Sequence, residues 1–154
     1  MSKLKNKLQI EQLDNKMEAI SVLEKIAMPS TGWLNAIRTG LNMSLRQLGN
    51  RLKITPQSMK EIEQREKEGS LTIKGLQDAA HALDMKLVYG LIPKDGSLEE
   101  LIDKKAKELA TKIVMRTSDS MKLEDQENSE RRLQKAIEER ANELKRDLPK
   151  ILWD

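Results

Sequence analysis

The segment Thr55-Pro56-Gln57-Ser58-Met59-Lys60-Glu61-Ile62-Glu63 gathers the side chains of this sequence best suited to recognition chemistry. Thr followed by Pro at the first helical position opens a helix. The helical period then puts Met59 and Ile62 on an inner side and Gln57, Ser58, Lys60 and Glu61 on an outer one. Those outer types match base edges in a DNA major groove, where an amide pairs with adenine, an ammonium with guanine and a carboxylate with the cytosine amino group. Between Lys25 and Lys60 the sequence has no Asp or Glu, while Arg38, Arg46, Arg51 and Lys53 lie inside that window. Such a block is an electrostatic footprint for a polyanion, and its cations suit phosphates. Gln47 and Thr55 complete the candidate DNA-binding set. A small helical bundle with a solvated basic surface is the competing reading of the same residues.

Other chemistries find little support. The chain has no Cys and one His, which excludes disulfides, thiolate metal sites and histidine clusters. His81 sits among Ala79, Ala80 and Ala82 and reads as a packed or surface residue. No Gly-rich phosphate loop, Ser/His/Asp set or pocketed carboxylate pair stands out. No catalytic residue, metal or cofactor is therefore expected, and the chain does not read as an enzyme.

The elements that must position the recognition residues are short and helical. With 154 residues, 38% apolar and 34% charged, the chain can fill one modest core. Its net charge of +3 is uneven: residues 1–93 carry 14 basic and 10 acidic side chains, and residues 94–154 carry 14 and 15. No apolar run approaches the roughly 18 residues of a membrane span, and the N-terminus MSKLKNKLQIEQ lacks an apolar signal core. A cytoplasmic protein with no membrane contact is expected.

Ile10, Leu13, Met17, Ile20, Leu23 and Ala27 predict one helix from about Lys3 to Met28, ended by Pro29-Ser30-Thr31-Gly32. Trp33 to Leu41 follows, with Leu34, Ile37 and Leu41 inward. Ser44 caps Leu45–Leu52, and a tight connection through Lys53 and Ile54 leads to the Thr55-capped helix, with small Gly49 where the two backbones can approach. That is a helix-turn-helix pattern, in which the second helix enters the major groove and the first crosses the phosphates. Thr72 caps a further helix, Ile73–Leu83. From Met85 to Pro93 the β-rich run with Leu87, Val88, Tyr89 and Leu91 predicts a lone strand. Its backbone groups need a partner, most simply the same strand of a second copy.

Beyond Lys94, Ser97 and Glu100 predict a capping box before a helix with Leu98, Leu101, Ile102, Leu109, Ile113 and Met115 on one side. A polar stretch, Thr117 to Asn128, precedes a last helical pattern with Leu133, Ala136, Ile137, Ala141, Leu144 and Leu148. These thin stripes call for a partner surface, from a second protomer or a different protein. The expected architecture is all-α: an N-terminal helix (1–31), a helix-turn-helix domain with a terminal dimerising strand (32–93) and a C-terminal helical extension (94–154).

Gly32-Trp33-Leu34-Asn35-Ala36-Ile37-Arg38, the helix-turn-helix, Gly69-Ser70-Leu71-Thr72-Ile73-Lys74-Gly75-Leu76, Ala79-Ala80 and Leu87-Val88-Tyr89-Gly90-Leu91-Ile92-Pro93 together resemble the mobile mystery protein A family. The resemblance runs in order over nearly the whole chain. It implies a lambda-repressor-like (Xre-class) DNA-binding fold and an antitoxin encoded beside a Fic-domain toxin. Leu45 and Pro56 stand where many such domains carry Gln, which moves base readout toward Gln57, Lys60 and Glu61. The resemblance also gives meaning to Ser120-Met121-Lys122-Leu123-Glu124-Asp125, which is similar to the inhibitory pattern [Ser/Thr]-x-x-x-Glu-[Gly/Asn] of Fic antitoxins, with Asp125 at its last position. It implies an inhibitory Glu124 supported by Ser120. The expected partners are then a Fic-domain toxin and double-stranded DNA with an inverted-repeat operator, bound as a homodimer or within a toxin–antitoxin heterocomplex. A plain helix-turn-helix regulator without a toxin is the alternative, and a purely protein-binding module is a third reading.

Overall fold

The structure, a computed structural model, describes residues 2–118 and 126–154. The described residues are helical and contain no strand: α1 Ser2–Ile20, α2 Trp33–Gly40, α3 Leu45–Leu52, α4 Pro56–Glu68, α5 Ile73–Ala82, α6 Leu98–Ser118 and α7 Gln126–Asp147, with short 3-10 turns at Ser21–Lys25 and Lys150–Trp153. The chain divides into two compact units, residues 23–90 and residues 1–22 with 91–154. Residues 1–22 of the expected N-terminal segment thus fold with the expected C-terminal extension, whereas residues 23–31 belong to the unit of the central helices.

In the unit of residues 23–90, local signals set each helix. Ser44 and Gln47 form a reciprocal capping box on α3: Ser44 Oγ accepts from Gln47 N–H at 3.0 Å, and Gln47 Oε1 accepts from Ser44 N–H at 2.8 Å. Thr55 caps α4 with Pro56 in its first turn, Thr72 caps α5, and Gly69 at φ 81° ends α4. Leu34, Leu48, Met59, Ala79 and Leu83 form the core where these helices meet. Leu41, expected inward, lies past the end of α2 and is 56% exposed.

In the other unit, α6 packs on α7, and α1 and the C-terminal 3-10 turn pack on α6. The buried residues are Ile102, Ala106, Ala110, Ala141, Leu144 and Leu152, with Ile10, Leu109, Ile137 and Leu148 packed beside them. The thin stripes therefore find their partner within the chain: three alanines let the helices approach closely enough for a narrow seam to close. Leu101 and Met115, expected inward, face solvent instead. Lys145 reaches Asp103 at 2.9 Å, joining the end of α7 to the start of α6, so the two helices run antiparallel. Ser97 Oγ accepts from Glu100 N–H at 3.1 Å, and Asp14 of α1 accepts from Leu98 N–H at 2.7 Å and Glu99 N–H at 3.3 Å. The start of α6 is thus capped from within and from a second helix.

Residues 85–92 hold no regular structure. The expected strand has no neighbouring strand to pair with among the described residues, and a ladder requires two. No helix of the described residues is long and apolar enough to cross a membrane.

Candidate nucleic-acid interface

Three residues, Lys53-Ile54-Thr55, join α3 to α4, and two features make so short a connection possible. Lys53 ends α3 in the left-handed region, φ 60° and ψ 40°, with its N–H donating to Asn50 O. Gly49 then lets the returning backbone close in: its own carbonyl accepts from Ile54 N–H at 2.9 Å. A Cβ on Gly49 would stand 2.9 Å from Ile54 O and 3.3 Å from Thr55 O. Both obstacles are backbone, so neither can swing aside.

This connection sets the outward side of α4. Met59 is buried and Ile62 half-buried against the core, while Gln57, Lys60 and Glu61 are exposed. Ser58 is half-buried, and the cap uses both it and Thr55: Thr55 Oγ1 accepts from Ser58 N–H at 3.1 Å and donates to Ser58 Oγ at 2.9 Å. Thr55 and Ser58 thus shape the helix start. On α3, Arg46 and Gln47 are exposed, and Gln47 keeps its amide N–H groups as donors beyond the box. Lys53 is exposed at the turn. Arg51 is exposed but engaged: its Nη1 donates to Ala82 O at 3.0 Å and meets Asp84 Oδ2 at 3.3 Å. It therefore serves the end of α5 as well as offering charge.

Arg38 corrects the sequence reading. Expected to meet phosphate, it is 9% exposed, with Nε 2.7 Å from Glu63 Oε2, Nη2 3.0 Å from Glu63 Oε1 and Nη1 2.9 Å from Met43 O. The hydrogen bonds to Glu63 hold its guanidinium above even its usual range. Glu63, 5% exposed, also accepts from Asn35 Nδ2 at 2.8 Å. This fork–fork pair is a strut between α2 and α4, and Arg38 leaves the DNA-facing set.

Sequence reasoning also missed Glu66. Its carboxylate accepts from Trp33 N–H and Leu34 N–H, each at 2.8 Å, and caps α2 from across the unit. Gly32, at φ 88°, makes room, since a Cβ there would stand 2.9 Å from Glu66 Oε1. The partners of Glu66 are two backbone N–H groups more than thirty residues earlier in the chain, so side-chain spacing carries no signal of it.

Gln57, Lys60 and Glu61 therefore share the open side of α4, with Arg46, Gln47, Lys53 and a partly engaged Arg51 on the preceding helix and turn. This arrangement offers donors, an acceptor and cations at a convex helix surface. Ser120 and Glu124 lie outside the described residues. No protein-family model, curated protein or solved structure matches the chain.

Proposed function

We propose that this protein is the antitoxin of a type II toxin–antitoxin pair: a cytoplasmic repressor that binds its own promoter and silences a Fic-type, nucleotidyl-transferring toxin. The observation that carries the DNA-binding half is the outward side of α4, where Gln57, Lys60 and Glu61 stand exposed behind a three-residue turn. In this reading α3, α4 and their turn are a helix-turn-helix of the lambda-repressor-like class. Gln57, Lys60 and Glu61 enter the major groove and read bases. Arg46 and Lys53, with Arg51 in support and Gln47 as an amide donor, neutralise or grip phosphates. Two copies bind an inverted repeat, and the segment with Leu87, Val88, Tyr89 and Leu91 is the contact between them.

The toxin-silencing half rests on the family resemblance. Fic enzymes, as the resemblance implies, move a nucleotide monophosphate from ATP to a protein hydroxyl, with an active-site arginine holding the γ-phosphate. Glu124 pairs with that arginine and takes the phosphate's place, and Ser120, four residues earlier in the sequence, steadies the contact. Half-buried Ile113 and Leu133 remain available for docking, whereas Leu109 and Ile137 are already packed against the core of their own unit.

Transfer of label from ATP by the co-purified complex tests this half. The Glu124→Gly complex is expected to stay together and regain transfer, while Ile113→Glu releases the toxin. Equal silence from wild-type and Glu124→Gly complexes removes Ser120 and Glu124 from the inhibitory site. A neighbouring reading frame without a Fic motif, together with sequence-specific DNA binding, selects the plain regulator instead.

A further inference from the structure

Leu91 and Val88 are the most exposed large apolar residues described, at 81% and 69%, and Tyr89 between them is 65% exposed. The backbone of 86–92 makes no backbone hydrogen bond among the described residues. An apolar, β-rich segment with an open backbone edge is a template for pairing. We infer that a second copy of this chain occupies it, residues 86–92 of the two copies pairing antiparallel about a two-fold axis at Tyr89.

The limits of the segment set the register. On one side Asp84 is left-handed at φ 58°, and Met85 N–H is already committed to Ala80 O at 2.8 Å. On the other side Pro93 has no N–H to give. An isologous contact lays the remaining window on itself, so that Leu87 faces Leu91, Val88 faces Gly90, Lys86 faces Ile92 and Tyr89 faces its own copy. Leu87, Tyr89 and Leu91 of both copies then share one face, and Gly90 leaves room beside Val88 on the other. Moving the axis to Gly90 would set Lys86 against Lys94, like charges directly opposed, and Leu87 against Pro93. Moving it to Val88 would set Leu91 against the committed Met85 and Ile92 against the left-handed Asp84. Only the Tyr89 register keeps left-handed Asp84 and committed Met85 out of contact with the apolar window and opposes no like charges. The use of this pair on an inverted repeat rests on the function proposed above, but its geometry does not.

Because the chain has no Cys, single cysteines give a clean reading. Directly opposed residues of an antiparallel pair have Cα atoms about 4.5–5.5 Å apart, within the disulfide limit of about 7 Å. Full-length Tyr89→Cys is therefore expected to form a covalent dimer under mild oxidation. Leu87→Cys and Leu91→Cys are each expected to stay uncrosslinked alone and to cross-link when mixed after subunit exchange. These sites are exposed or half-exposed, so the variants should fold, which circular dichroism checks. Sedimentation of the unoxidised wild type should show a dimer, and Val88→Pro a monomer of unchanged helicity. A monomeric wild type, an uncrosslinked Tyr89→Cys, or self-crosslinking of Leu87→Cys or Leu91→Cys overturns the inference. A gel shift run in parallel separates the two readings: specific DNA binding without the cross-link removes the ribbon alone, and the cross-link without DNA binding removes the DNA reading alone.

Discussion

Lys53 occupies a backbone conformation that costs an L-residue about 1–2 kcal/mol relative to the right-handed helix, and it does so where the turn brings α4 back over α3. Glycine would hold that conformation freely. Lys53→Gly is accordingly expected to raise stability by about 1 kcal/mol in thermal unfolding, yet to weaken binding to all DNA and lower the salt slope by about 1. An unchanged slope would show that Lys53 meets no phosphate. Arg46→Ala should likewise weaken binding uniformly, whereas Lys60→Ala should remove about 1–3 kcal/mol of discrimination between specific and random DNA. Arg38 behaves differently because its charge is internal. Arg38→Ala leaves the Glu63 carboxylate buried and unpaired, a loss on the order of 3–5 kcal/mol by chemical denaturation. The sequence lists Arg38 beside the other cations, but whether a cation is free depends on a partner 25 residues away, and no local pattern reports that.

At the scale of elements, legibility follows the range of the interaction. Ser44, Thr55 and Thr72 are readable as caps because each bonds a backbone amide three residues ahead. Asp14 at the start of α6 and Glu66 at the start of α2 act from other helices, and spacing alone gives no hint of them. The inner face of α6 is also hard to read: Ala106 and Ala110 fill it, where pattern reading favours the larger Leu101 and Met115, which face solvent. Two substitutions test these elements by thermal unfolding. Gly49→Ala should push α3 and α4 apart, at about 1–3 kcal/mol, and reduce specific DNA affinity with it. Asp14→Ala should cost about 0.5–2 kcal/mol and leave DNA binding unchanged, since it touches only the other unit. The Lys3 contact at 2.8 Å holds the Asp147 carboxyl below its usual range, so what the pair adds to stability is present above that range and lost as pH falls through the lowered value. Because both side chains are well exposed, the effect is small, and the sharper check is an NMR titration in which Lys3→Met returns Asp147 to the ordinary carboxylate range.

For the whole molecule, the division into two units places the proposed tasks on separate stretches of chain, with base reading within residues 23–90 and toxin silencing beyond residue 91. The two tasks should therefore separate by mutation: Lys60→Ala loses repression and keeps the toxin silent, and Glu124→Gly does the reverse. The most direct test of the central claim, that the open side of α4 reads DNA, is a footprint of wild type and Lys60→Ala on the DNA upstream of the gene. Two protected half-sites in inverted repeat are expected, about one helical turn or a multiple apart, with Lys60→Ala needing about 5- to 150-fold more protein for the same protection, the equivalent of about 1–3 kcal/mol. No protected repeat, or a repeat protected equally well by Lys60→Ala, would contradict it.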